Sequence, residues 1–192
     1  MERKHFLILL ALLLMFTTSA IAESSGRNSD KRYMGFAPAF ATYGSILDTS
    51  SELGYGAGGK IEMPLADILK LEVRGGWLTD VKIGKSDVDT DVVPVDVGLA
   101  LHVPGRLFDR VRENNIRPIF LGGATWAYMD LENGYGSADD WGWYAGGGVE
   151  IGKERGVGLL VEALYRDLDV NNNGVSGDIG GAMGNVGLYY RW

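Results

Sequence analysis

Asn185-Val186-Gly187-Leu188-Tyr189-Tyr190-Arg191-Trp192 closes the chain, and its residues alternate in character. Successive side chains of an extended strand point to opposite faces. Val186, Leu188, Tyr190 and Trp192 therefore share one face, and Asn185, Gly187, Tyr189 and Arg191 share the other. The first face is apolar and ends on two aromatic rings; the second is mixed. Working back toward the N-terminus, the same period recurs in segments of roughly ten residues bounded by turn-forming residues, the pattern of strands that cross a membrane as a closed sheet. Eight segments are read: Arg32–Tyr43, Glu52–Met63, Ile68–Leu78, Val88–Val103, Arg117–Met129, Trp141–Ile151, Gly158–Asp167 and Ile179–Trp192. An even number brings both ends of an antiparallel barrel to the same side.

Alternation also assigns faces. Leu71, Val73 and Trp77 oppose Lys70, Glu72 and Arg74, and Val93, Val95, Val97, Leu99 and Leu101 oppose Asp96 and His102. In a soluble sandwich or ligand-binding barrel the apolar set would point inward, so alternation by itself does not choose between water and lipid. Export and the aromatics favour lipid. Arg3 and Lys4, the apolar run Phe6–Phe16 and the small-x-small triplet Ala20-Ile21-Ala22 read as a cleaved signal peptide over residues 1–22. The run is shorter than the ~20 residues a spanning helix needs. Aromatics gather near segment ends at Tyr43, Trp77, Trp126, Tyr128, Trp141, Trp143, Tyr165, Tyr190 and Trp192, where interfacial girdles lie. Residues 23–31 are expected to form a flexible lead-in and residues 32–192 a single barrel domain.

Composition narrows the function classes. The formal net charge of −7 excludes nucleic acid as a partner, because phosphate binding needs clustered Lys and Arg. With no cysteine, disulfides, thiolate metal sites and cysteine nucleophiles are all ruled out. The 29 glycines show no three-residue period and sit within the alternating segments, where glycine marks sharp curvature or a lack of room for a side chain.

The last eight residues resemble the recognition signal that the outer-membrane assembly machinery reads on barrel substrates: polar residue, x, Gly, two residues, aromatic, x, terminal aromatic. Asn185, Gly187, Tyr190 and Trp192 occupy its positions. Tyr144-Ala145-Gly146-Gly147-Gly148-Val149-Glu150, a short turn, and the following strand with Glu162, Tyr165 and Arg166 are similar to the penultimate hairpin of OmpA/OmpX-like and opacity-type barrels. The resemblance implies an all-β, eight-stranded antiparallel up-and-down transmembrane β-barrel in the bacterial outer membrane. It also implies outer-membrane lipid and lipopolysaccharide as surroundings, periplasmic chaperones and the barrel-assembly machinery as partners during biogenesis, and a monomer. Unlike OmpA itself, the sequence carries no peptidoglycan-binding domain after the barrel, so a cell-wall tether is not implied.

With both ends in the periplasm, the loops near residues 44–51, 79–87, 130–140 and 168–178 are expected outside, and they are rich in Asp. The inward faces carry Lys60, Glu62, Lys70, Glu72, Arg74, Asp96, Glu150, Glu162, Arg166 and Arg191, five of each sign. An eight-stranded barrel has room for side chains but not for a wide aqueous path. Charges held there must pair to offset desolvation, so this set is expected to act as a plug. The fourth outer loop, Asp169-Val170-Asn171-Asn172-Asn173-Gly174, matches the opening of a calcium loop, although position twelve is Gly180 instead of Glu. Asp169, Asn171, Asn173 and Asp178 are the candidate ligands, set against a plain turn-rich loop tip. No cofactor is otherwise expected. After loss of His5 with the signal, His102 is the one histidine, with no nucleophile beside it in the motif reading, so no enzyme is expected. Two functions remain open: a structural or surface-interaction barrel presenting acidic loops, and a minor channel for small solutes.

Overall fold

The computed structural model describes residues 38–48, 53–66, 68–82, 89–103, 116–131, 136–153, 155–172 and 175–192. The expected signal peptide and lead-in lie outside the described residues. The strands are β1 (Ala39–Asp48), β2 (Leu53–Pro64), β3 (Leu69–Lys82), β4 (Asp89–His102), β5 (Ile116–Leu131), β6 (Gly136–Gly152), β7 (Gly156–Asp167), β8 (Asp169–Asn172), β9 (Val175–Asp178) and β10 (Gly181–Arg191). Eight of them close a barrel in the order β1-β2-β3-β4-β5-β6-β7-β10, every neighbour antiparallel, with β10 returning to β1. Ala39 pairs with Arg191, so the first strand starts and the last strand ends at the same end of the barrel, called here the terminal end.

The chain is inside out relative to a water-soluble protein. Apolar side chains cover the outer wall: Ile46, Phe120, Val186 and Leu188 are each 57–58% exposed, with Val97, Leu99 and Leu101 beside them. Charged side chains line the inside. A continuous apolar belt of this extent is far larger than the patches soluble monomers carry, so the belt faces lipid. This settles the choice that alternation left open, and the ligand-cavity arrangement is excluded by the charged interior.

Several strand limits differ from the sequence reading. The first strand continues past Tyr43 to Asp48, because Gly44 and Ser45, expected in a loop, pair with Ala57 and Gly56 on one side and with Val186 and Asn185 on the other; the expected start at residues 32–37 lies outside the described residues. The third strand runs on to Lys82, into the loop expected at 79–87. The loop expected at 130–140 is mostly ladder: Asp130 pairs with Ser137 and Leu131 with Gly136, whose φ of 83° suits glycine. The fourth outer loop contains the separate two-stranded sheet β8–β9.

Tyr43 was expected in the outer aromatic girdle, but it points inward and is 8% exposed. Room for it comes from Gly58, where a Cβ would lie 2.8 Å from the ring. Tyr189 rests in the same way on Gly158, where a Cβ would sit 2.3 Å from the ring. Many strand glycines thus mark places where an aromatic ring or a neighbouring backbone presses against the wall.

Candidate functional site

Among the described residues, chemically active side chains converge in the lumen, and the register of the strands sorts it into tiers. Nearest the terminal end, Lys70 Nζ donates to Glu62 Oε2 at 2.8 Å, and Arg191 is paired with Glu150. His102 stands between the two carboxylates, Nε2 lying 3.0 Å from Glu62 Oε2 and Nδ1 3.6 Å from Glu150 Oε2. Arg117 closes the rim below them by donating to the carbonyls of Gly152 and Lys153 and to the Tyr189 hydroxyl. The second tier is centred on Lys60, whose Nζ lies 3.0, 3.1 and 2.5 Å from oxygens of Glu62, Glu72 and Glu162. Arg74 joins it, donating from Nε to Glu72 at 2.9 Å and from Nη1 to Glu162 at 3.2 Å. Its guanidinium sits between the rings of Tyr43 and Tyr144, 5.8 and 5.5 Å from their centroids. One step further, Arg166 Nη2 pairs with Asp96 Oδ2 at 2.5 Å.

All ten charged residues read from the sequence as inward are therefore in the lumen, none more than 3% exposed. Each acid has a basic partner on another strand or another turn of the wall. With five charges of each sign the network is neutral apart from His102, which suits a space from which bulk water is removed.

Beyond Asp96 and Arg166 the interior changes character. Leu47, Leu78, Val81, Val92, Met129, Leu131, Leu164 and Met183 point inward and are buried, and Leu168 and Ile179, at the base of the β8–β9 hairpin, pack with them. Ile179 N–H donates to the Leu168 carbonyl at 2.9 Å, which ties the two arms of that base together. Sequence reasoning missed this apolar tier. Its members stand next to outward residues that are also apolar, as in Ile46-Leu47, Trp77-Leu78 and Val92-Val93, so the period of two fades where both faces are hydrophobic.

The other sequence candidates fall outside the lumen network or at its border. Asn185 points inward, accepts from Ser45 Oγ at 2.7 Å and donates to Glu162 at 3.3 Å. Gly187 lets the β1 backbone approach closely, since a Cβ there would stand 1.9 Å from the Thr42 carbonyl oxygen. Tyr190 lies on the outer wall and stacks with Trp192 at 5.8 Å. Of the calcium candidates, Asp169 and Asp178 are paired across the hairpin and exposed, with Asp178 Oδ1 accepting from Gly180 N–H at 2.6 Å. The Asn171 side chain and Asn173 lie outside the described residues. Glu62, His102 and Glu150 place donor atoms within 4.8 Å of one another, a spacing a metal ion would accept. Lys60, Lys70 and Arg191 already hold the two carboxylates, so a cation would add charge to a balanced group, and the donor set fits ion pairing better than metal binding.

A closed antiparallel barrel of eight strands, apolar outside and charged inside, is the architecture of small outer-membrane proteins. Residues 8–191 match the family model described as the outer membrane protein beta-barrel domain. The chain belongs to that family. It is an outer-membrane β-barrel protein. Comparison of its sequence with curated proteins gives no match. Among solved structures, this family member is similar to Neisserial surface protein A, with 12% identity and a TM-score of 0.59 over 82% of this chain and 97% of that one. OprG of Pseudomonas aeruginosa gives 15% identity and a TM-score of 0.58 over 81% and 95% of the two chains. The N-terminal β-barrel domain of OprF from the same organism gives 14% and 0.52 over 82% and 98%. At these identities the likeness shows a common fold.

Proposed function

We propose that this outer-membrane barrel is a sealed, non-enzymatic scaffold whose working surface is the end opposite its termini. The observation that carries this reading is the filled lumen: two tiers of buried ion pairs stacked under a tier of close-packed apolar side chains. A path for ions would have to part both, breaking desolvated pairs and opening an apolar constriction. The strands that rise above the seal are the long β5–β6 hairpin and the β8–β9 hairpin, and they carry exposed Asp139, Asp169 and Asp178. These acidic hairpins face the lipopolysaccharide surface and the medium, where they take part in structural or surface interactions. No cofactor is needed for such a role, and calcium is not part of it.

In the same reading, Asn185, Gly187, Tyr190 and Trp192 form the signal by which the assembly machinery receives the last strand. An apolar, aromatic-ended strand suits recognition by strand addition, in which main-chain hydrogen bonds give affinity and alternate side chains give selection. Delivery by periplasmic chaperones and a monomeric final state belong to the proposal.

Orientation is the testable part. An epitope inserted between Asn173 and Gly174 is expected to bind antibody on intact cells. Labelling seen only after the outer membrane is permeabilised would place that hairpin in the periplasm and overturn the surface role.

A further inference from the structure

The wall between β3 and β4 has a break. Pairing runs from Leu69↔Leu101 to Gly75↔Val95, reappears at Leu78↔Val92 and shifts register before Val81↔Thr90. In the interval, Gly76 and Trp77 stand opposite Pro94 and Val93 outside the ladder, and Pro94 has no N–H to offer. Against this break lies a small cavity of ≈ 10 Å³ bounded by Ser45, Gly76, Pro94, Asp96, Arg166 and Met183, among others. It marks the boundary between the ionic and the apolar tiers.

Two of its lining residues are incompletely satisfied. Arg166 and Asp96 meet through Nη2 and Oδ2, while Arg166 Nε and Nη1 and Asp96 Oδ1 are buried with no hydrogen-bond partner. Unpaired charged atoms in such a place cost more than neutral ones. An anion would meet the Asp96 carboxylate and a cation the Arg166 guanidinium. The matching ligand is neutral, accepts from one side and donates to the other. A water needs roughly 10–15 Å³ of such space and two to four polar partners. We propose that this cavity is a hydration site in which one water accepts from Arg166 and donates to Asp96 Oδ1.

Nuclear magnetic resonance on the folded barrel in deuterated detergent tests this. Cross-relaxation from water to the Gly76 and Asp96 amides is expected. Met183→Phe, which fills the cavity with apolar volume, should abolish the water signal; Ser45→Val serves if that variant does not fold. A wild-type protein with no water signal at either amide, or a signal unchanged by the filling variants, overturns the hydration site.

Discussion

Glu162 is the residue on which most of the lumen converges, since Lys60, Arg74 and Asn185 all donate to it. Removing one partner of a buried ion pair leaves the other charge uncompensated, at a cost of about 3–5 kcal/mol. Glu162→Gln keeps the size and part of the hydrogen bonding but removes the charge, so urea unfolding in lipid vesicles is expected to show a loss toward that range. A variant as stable as the wild type would mean that water reaches Lys60 and Arg74. Packing makes a separate prediction. At Gly158 an added methyl group meets the Tyr189 ring, and overpacking of this kind costs ~1–3 kcal/mol. Gly158→Ala should destabilise by that amount, and combining it with Tyr189→Leu should recover part of the loss in a double-mutant cycle. Additive losses would show that the ring does not rest on the glycine.

At the scale of elements, the lipid-facing side of each strand and the ten lumen charges could be read from alternation, because a polar inner face and an apolar outer face differ at every second residue. Three features were not legible, each for a physical reason. The apolar tier lacks contrast between its faces. Tyr43 looks like a girdle aromatic until Gly58 on the neighbouring strand is known to lie under it, and sequence alone does not give that neighbour. The β8–β9 hairpin reads as a turn-rich loop tip because Asn and Gly favour left-handed backbone, although the Asn173-Gly174 dipeptide is also a strong hairpin signal. Since β8 and β9 pair only with each other, replacing residues 169–178 with a short Gly-Ser link should leave the barrel intact, with unchanged heat-modifiable migration on gels. Loss of the heat-modifiable form would show that the hairpin supports the wall. The last strand makes a different prediction: Trp192→Ser should reduce folded protein in the outer membrane while leaving export to the periplasm intact. Normal accumulation of the folded variant would remove Trp192 from the assembly signal.

For the whole molecule, the arrangement resolves a conflict that a long exported chain without disulfides must meet. The apolar outer wall is satisfied by lipid, the backbone by the closed ladder, and the inner charges by one another, so among the described residues the rim and hairpins remain as free surface. In the proposed orientation, interaction with the exterior falls to the end that carries β5–β6 and β8–β9. The seal is tested by single-channel recording in planar bilayers, using protein whose folded state has been verified by heat-modifiable migration. The expected result is silence from the wild-type barrel. Stable ohmic steps from the folded protein, above all steps whose size changes on Arg74→Ala, would show that the lumen is not sealed and is a conducting path.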